Sequence, residues 1–591
     1  AAALLAVNGR RHMAPLSLPL HLATLAALPN VRARTDSFPP GWNGLAKTPP
    51  MGWRSWNAYG NRVSQKIMQD AVDALVAPIW TIEGSPNVSL AQAGYNLIGV
   101  DEGWEGCGEG VNGTQHAADG TPVINKKFPD MAGLVRYAHA AGLRIGWYQN
   151  GCACGERKEV ASNYVGDVRS LHAFGFDGVK LDDCGAQRNM TFYAQLMQRT
   201  GRAYLIENCH WGRCDETDAS SCPTDSWCPF NWFRTSGDIN AGTFSWLANL
   251  QTTRKFQDVH SPLSRPGCWA YPDMMEVGRV QGGSNWNRAH FGAWCVVSAP
   301  LVLGAPPSDL SAVVDVITNA EAIAISRAWH GHPGGLVWER AAAPPPRVAF
   351  VQATSCGGAE QGGWSLSALR RVDSADALAD GVLAEGVLAE DVLVRGPRGA
   401  CLANALEGSK GLTLAPCNCS ASTQRFRYNA TSNELVGTND ECVDVDNSVG
   451  PLVQLYRCNG GANQHLHFVD GTLRASQGTA RERCLGASDA DAGAGIGRTL
   501  QAWAKRVGAT GAGDEVALLL INPDVRPQQF WVPRALVGLG AEASVAVRDV
   551  WARADAPSLP PSADVVRTVK GRDSAFLRLT PVAISTAAAL A

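Results

Sequence analysis

Net charge is nearly absent from this chain: 51 basic and 54 acidic side chains leave −3 over 591 residues. So even a balance gives no electrostatic footprint for a nucleic acid or an anionic membrane surface, and neither partner is expected. Long apolar runs are missing too. Residues 14–28 come nearest, but they are few and interrupted by Pro15, Pro19 and His21, so they do not make a spanning helix. With Arg10-Arg-His-Met13 ahead of them they read as the basic and apolar regions of a secretory signal, with Met13 as a candidate initiator. Paired CxxC spacing is also absent. Cys152-Ala-Cys154 is CxC without a neighbouring His cluster, so no zinc site is expected. The 17 cysteines point instead to disulfides in an oxidising compartment, with an odd thiol left over. Asn-X-Ser/Thr triplets at Asn87, Asn112, Asn189, Asn418 and Asn429 agree with a secretory, extracellular or lysosomal/vacuolar, location. What the chain has in quantity is tryptophan, 19 residues whose flat faces suit either core packing or the C–H faces of sugar rings.

The length calls for two to four domains. After an N-terminal extension (residues 1–45), residues 46–330 alternate β-like runs with helix-like spacing. Strands are expected at 95–100, 143–148, 178–182, 203–207, 231–235 and 295–303, and helices at 131–141 and 165–174. The repetition predicts an α/β fold, a (β/α)8 barrel; the open doubly wound alternative lacks a GxGxxG after its first strand. A Pro/Ala-rich linker at 342–346 lies in the start of a C-terminal β domain (331–396), which resumes at 491–591 as an antiparallel sandwich. Residues 397–490 carry an internal repeat: Cys401 and Cys417 are sixteen apart, as are Cys442 and Cys458, and Arg483-Cys-Leu-Gly486 opens a third unit that breaks off. Two units and a remnant predict a partial β-trefoil inserted in the β domain. The segment 376–390, with its Gly-Val-Leu-Ala-Glu repeat, is expected to be surface or helical.

Acidic and polar residues recur at the C-terminal ends of the expected barrel strands: Asp101, Tyr148, Asp182, Glu207 and Asp238. That face of a barrel carries the active site. Lys180, two residues before Asp182, points to the same side of its strand, whereas Asp183 points to the other. Two carboxylates from different strand ends suffice for glycosidic cleavage with retention, so no metal and no organic cofactor is required.

Six segments give a specific resemblance: Pro49-Pro-Met-Gly-Trp-Arg-Ser-Trp56, Val100-Asp-Glu-Gly-Trp104, Gly146-Trp-Tyr148, Lys180-Leu-Asp-Asp-Cys184, Arg234-Thr-Ser-Gly-Asp238 and Pro272-Asp-Met274. In this order the region resembles glycoside hydrolase family 27, the α-galactosidase and α-N-acetylgalactosaminidase family. The strands around Val547-Arg-Asp-Val-Trp551 and residues 574–581 resemble its closing β-sandwich. The resemblance implies a retaining exo-glycosidase acting on galactose- or arabinopyranose-terminated glycans. Asp182 would be the nucleophile, ionised with help from Lys180, and Asp238 the acid/base, protonated at the start. Trp56 would form an apolar wall. Asp101, Glu102, Tyr148, Lys180, Arg234 and Asp273, with Cys209 and Trp211, would bind the sugar. Cys184 would pair with Cys152 or Cys154.

Two departures bear on the substrate. Glu102 stands where the family's galactosidases usually carry Asp, beside the sugar's C6 group, which arabinopyranose lacks; family members acting on β-L-arabinopyranosides carry Glu there. Cys209-His210-Trp211 replaces the usual Cys-Glu-Trp in the loop that reads the C2 substituent, and the size of His210 favours a 2-hydroxyl over an acetamido sugar. The leading expectation is an α-galactosidase, with the β-L-arabinopyranosidase as alternative and the N-acetylgalactosaminidase behind both. A carbohydrate-binding protein with an inactive barrel is the reading from another class, and intact Asp182 and Asp238 argue against it. The insertion resembles a ricin-B-type trefoil, which implies Asp444, Asn463 and Gln464 as hydroxyl partners and Tyr456 as a stacking face. Ala403 replaces the matching acid in the first repeat, so at most one competent site is expected.

Overall fold

The computed structural model describes residues 38–582, apart from residue 153, residues 213–221 and short segments between residues 343 and 498. The signal-like stretch at 10–28 lies outside the described residues, as does much of the 376–390 repeat.

Eight parallel strands stand in one sheet: β1 (Met51–Arg54), β2 (Leu97–Gly99), β3 (Arg144–Gln149), β4 (Gly178–Asp182), β5 (Leu205–Cys209), β6 (Trp232–Arg234), β7 (Trp269–Tyr271) and β8 (Leu301–Leu303). β8 pairs with β1, and Met275, just past β7, bridges to Leu303 in parallel, so the sheet closes into the expected barrel. Around it lie α1 (Gln65–Val76), α2 (Met131–Ala140), α3 (Ala161–Phe174), α4 (Met190–Arg199), α5 (Ser245–Thr252), α6 (Ser284–Val296) and α7 (Ala320–Arg327). Their starts follow local chemistry. Ser64, Asp130 and Asn189 each accept a hydrogen bond from a first-turn amide, and Gly175 ends α3 in the left-handed conformation that a Cβ disfavours. Inward faces such as Met68, Val72 and Leu75 of α1 bury against the strands.

One expected strand is corrected. The apolar run 295–303 is the last turn of α6 followed by β8, with Cys295 in the helix. Both pieces are buried throughout, so hydrophobic periodicity does not separate them.

Beyond the barrel, Gly335–Ala341, Thr499–Thr510, Gly513–Asn522, Asp573–Val582, Ser544–Asp549 and Ala554–Leu559 form an antiparallel six-stranded sheet. Its core includes Leu500, Leu518, Leu520, Val545 and Leu577. It is tied to the barrel by Arg288–Asp573 (2.5 Å) and by Lys505, whose buried Nζ donates to Ser298 Oγ (2.6 Å) and Ser326 O (2.9 Å) at the end of α7. The inserted module is a twelve-stranded antiparallel sheet with its own core. Its third unit does not stay open: Arg483–Ser488 pairs along its length with Ala349–Ser355, a strand lying before the first repeat. The third unit, read from the sequence as a remnant, thus gains a partner strand from upstream.

Candidate active site

The barrel register sets the site. Tyr148 of β3, Lys180 of β4 and Glu207 of β5 are paired neighbours, and one layer higher Asp182 lies beside Cys209. Lys180 and Asp182 alternate with Val179 and Leu181, so the polar pair shares one side of the strand. Asp183 leaves that line: Arg188 holds its carboxylate at 3.1 Å.

Asp182 is 6% exposed. Tyr148 Oη donates to its Oδ2 (3.0 Å), the Asp183 amide donates to its Oδ1 (2.8 Å), and Asn150 Nδ2 donates to its backbone oxygen (2.5 Å). Asn150 also organises the following loop, accepting from the Gly185 and Gln187 amides at 3.0 and 2.9 Å. It adopts φ 62°, a left-handed conformation that Asn tolerates better than most residues. A disulfide joins Cys152 to Cys184 and a second joins Cys107 to Cys154, which resolves the choice for Cys184. The sulfurs of Cys152 and Cys184 lie within 4.8 Å of a carboxylate oxygen of Asp182, but both are consumed by the disulfide, so this trio is no metal centre.

Lys180 does not act mainly on Asp182. Its Nζ donates to Asp101 Oδ2 at 3.0 Å and stands 3.9 Å from Asp182 Oδ2. Arg54, at the end of β1, pairs with Glu207 (2.7 Å) and approaches Asp101 (3.6 Å). Buried cations and acids thus alternate across the barrel floor. Burial lifts Asp182 above the usual carboxylate range, and Lys180 only partly offsets it, while Asp101 and Asp238 add to the rise.

Asp238 stands on the loop after β6 rather than on the strand, and its side chain is 64% exposed. Arg234 Nη2 holds Asp238 Oδ1 at 3.0 Å and Asp273 Oδ2 at 2.8 Å, while Nη1 donates to the free thiol Cys209 at 3.5 Å. Loss of surrounding water pushes Asp238 upward, but Arg234, with Lys180 behind it, wins and holds Asp238 below its ordinary value. In the open site burial therefore draws Asp182 upward, and Arg234 draws Asp238 downward. Asp273 is fixed by the Ile239 and Met274 amides and strained at φ 89°.

Of the remaining candidates, Asp101 and Glu102 are buried, and Trp56 and Trp211 are half-buried. Glu102 Oε1 lies 3.1 Å from where a Cβ on Gly151 would stand, so the longer acid has room because residue 151 is glycine. His210 is buried. Arg54 and Asn150 were not singled out in the sequence. Arg54 was inside a quoted motif, whereas Asn150 carried no signal beyond its place after β3. In the module, Asp444 Oδ2 accepts from Asn463 Nδ2 (2.8 Å) and Gln464 Nε2 (2.9 Å), with Tyr456 on the adjacent strand.

A closed barrel with acids converging at the C-terminal strand ends, followed by a β-sandwich, defines a class: the (β/α)8 glycoside hydrolases. The comparisons with known proteins agree. Residues 48–328 match the family described as alpha galactosidase A, residues 392–511 the ricin-type beta-trefoil lectin domain, and residues 497–579 the alpha galactosidase C-terminal beta sandwich domain. The chain is 30% identical to alpha-galactosidase A of Cellvibrio japonicus over 323 residues, 51% of this chain and 72% of that protein. It is 28% identical to an alpha-galactosidase of Oryza sativa over 309 residues, 50% of this chain and 66% of that protein. The chain thus spans about two-thirds of the length of these relatives. The solved alpha-galactosidase of Saccharomyces cerevisiae shares the fold, with a TM-score of 0.55 at 16% identity over 92% of this chain and all of that one. The chain belongs to the α-galactosidase family, glycoside hydrolase family 27.

Proposed function

We propose that this protein is a retaining exo-glycosidase that releases terminal α-D-galactose from oligosaccharides or glycoconjugates. The observation that carries it is the placement of Asp182 and Asp238, two acids that feel each other's charge, one shielded at a strand end and one open at the rim. Asp182 attacks the anomeric carbon as Asp238 gives its proton to the departing glycosidic oxygen. Asp238 then takes a proton from water, which attacks the same carbon and frees Asp182. Asp238 must gain a proton first. A sugar seated over it removes the water that stabilises its charge and raises its pKa, so activity is centred on the acid side of neutrality.

Trp56 gives the sugar an apolar wall. Asp101, Glu102 and Asp273 accept from its hydroxyls, and Tyr148, Lys180, Arg234, Cys209 and Trp211 complete the pocket. Asp444, Tyr456, Asn463 and Gln464 form the module's own sugar site. The disulfides and the exposed sequon residues Asn87, Asn112, Asn189 and Asn418 support a glycosylated protein of the secretory pathway. Among the described residues no helix is long and apolar enough to cross a membrane.

Glu102 favours a second activity on β-L-arabinopyranosides, since one extra methylene beside C6 is worth roughly 1–3 kcal/mol. Hydrolysis of nitrophenyl α-D-galactopyranoside, α-N-acetylgalactosaminide and β-L-arabinopyranoside by wild type and Glu102→Asp tests both readings. The galactoside should be the best substrate, and Glu102→Asp should raise its share further. No turnover of any of the three defeats the glycosidase assignment, and an unchanged ratio defeats the role given to Glu102.

A further inference from the structure

Glu105 follows directly on the Val100–Trp104 motif and is buried at the barrel mouth, 6% exposed like Glu102. Its backbone is fixed: Asn125 Nδ2 donates to its carbonyl (3.0 Å), and the residue bridges to Ile124. The same short loop is tied to β3, where Trp104 Nε1 donates to the Tyr148 carbonyl at 3.0 Å. Glu105 Oε2 accepts from the Gly103 amide (2.7 Å), whereas Oε1 is buried and has no hydrogen-bond partner among the described residues. A buried polar oxygen left alone costs free energy, so where it points is informative. It lies 3.1 Å from the point where a Cβ on Gly151 would stand. Glu102 Oε1 lies 3.1 Å from the same point, with Tyr148 Cε1 at 3.4 Å. Tyr148 in turn donates to Asp182, so the two acids meet against the ring that holds the nucleophile. Residue 151 is not in the left-handed region, so its glycine serves to leave room for the two carboxyls. Burial pushes the Glu105 carboxyl up to about 8; the charges of Glu102 and Asp101 push the same way, and two backbone amides oppose them. A carboxyl that keeps its proton has one O–H to donate, and with Oε2 committed to Gly103 that donor is Oε1.

We propose that Glu105 is a positioning residue for Glu102: its Oε1 donates to the Glu102 carboxylate over Gly151 and holds it beside the sugar's C6 group, so that the pair sets the preference between galactosides and β-L-arabinopyranosides. This rests on the glycosidase reading above and on the place given there to Glu102. Two carboxyls side by side in a buried site do not both ionise without a large cost, and sharing one proton satisfies both. The longer side chain of Glu102 has more rotamer freedom than an Asp, and a donor at its tip removes it. Without that hydrogen bond Glu102 turns away from C6 into the space beside Glu105, and the crowding that disfavours a galactoside is relieved. Glu102, Glu105 and Gly151 then work as one unit, with Glu102 its sugar-facing member.

The test measures kcat/KM of the full-length protein on nitrophenyl α-D-galactopyranoside and nitrophenyl β-L-arabinopyranoside. The variants are Glu102→Asp, Glu105→Ala, Glu105→Gln and the double change Glu102→Asp with Glu105→Ala. Glu105→Ala should raise the galactoside/arabinopyranoside ratio roughly tenfold, in the same direction as Glu102→Asp. In the Glu102→Asp background it should add little, because the side chain it positions is gone. Glu105→Gln keeps the shape, an acceptor for Gly103 and an N–H toward Glu102, and should return most of the ratio toward the wild-type value. A ratio unchanged in Glu105→Ala overturns the proposal, as do shifts that simply add in the double variant or a Glu105→Gln that behaves like Glu105→Ala. An equal fall on both substrates with a lowered melting temperature, the signature of a merely structural acid, overturns it too. Wild type inactive on both substrates defeats the glycosidase reading and the proposal with it, and a ratio unmoved by Glu102→Asp defeats the role of Glu102. A ratio moved by Glu102→Asp and unmoved by Glu105→Ala defeats only the role of Glu105.

Discussion

The Arg234 guanidinium holds Asp238 at 3.0 Å, and the same nitrogen reaches Asp273 at 2.8 Å. One buried cation thus serves an exposed acid and a buried one; it holds Asp238 below its ordinary value, whereas burial outweighs it at Asp273, which rises to about 6. Arg234 is the strongest of the charges that hold Asp238 down.

Arg234→Gln should release Asp238. With the cation gone its pKa climbs, so the alkaline limb of the kcat/KM profile, which reports the protonated acid, moves to higher pH. Asp273 is left as a buried acid without its partner, and stability should fall by about 3–5 kcal/mol. A pH–rate profile together with thermal melts checks both, and an alkaline limb that stays in place contradicts the control assigned to Arg234.

Lys180→Met should act on the other limb. Without Lys180, Asp101 and Asp182 face each other in a buried cluster, and Asp182, already raised, rises further. The acid limb, which reports the ionised nucleophile, should move up in pH, and kcat/KM at the wild-type optimum should drop by about a hundredfold or more. Measuring the same profile on this variant reads the result.

His116 is buried between Glu156 (2.7 Å) and Asp167 (3.0 Å), beside the loop that carries Cys152 and Cys154. Burial alone would lower its pKa, but the two carboxylates carry it up to about 9. A raised folded-state value means the stabilisation is complete below about pH 6.5 and is lost as pH rises through 9. The pH-dependent part should amount to about 3 kcal/mol. Melting curves at pH 6 and pH 9.5 should show that loss in wild type and little of it in His116→Gln, which is less stable at both.

Cys184→Ser should remove the tie between the end of β4 and the loop after β3. The disulfide closes 32 residues, and its loss should cost roughly 3–4 kcal/mol. Because Asp182 lies two residues from Cys184, kcat should also fall in the folded fraction. Calorimetry and active-site titration separate the two effects.

The barrel was legible because acids recur at the ends of successive strands, a pattern that survives inexact strand limits. β1 and β7, of four and three residues, are not among the strands expected from the sequence. The pairing of Cys184 depended on Cys107 taking Cys154, a contact across 47 residues that spacing does not reveal. The main partner of Lys180 is hidden for a related reason. Lys180 precedes Asp182 by two residues, but the barrel delivers it to Asp101, which comes from another strand. The partner strand of the third unit escaped notice because it lies upstream of the repeats.

The central claim is that Asp182 is the nucleophile. Its most direct test is trapping with an activated 2-deoxy-2-fluoro-α-galactoside, whose slow second step accumulates the glycosyl-enzyme, followed by peptide mass mapping. The sugar should sit on the peptide containing Asp182, with fragmentation assigning it to that residue, and Asp182→Ala should carry no label. Label on Asp183 or Asp101, or turnover of Asp182→Ala at the wild-type rate, would contradict the account.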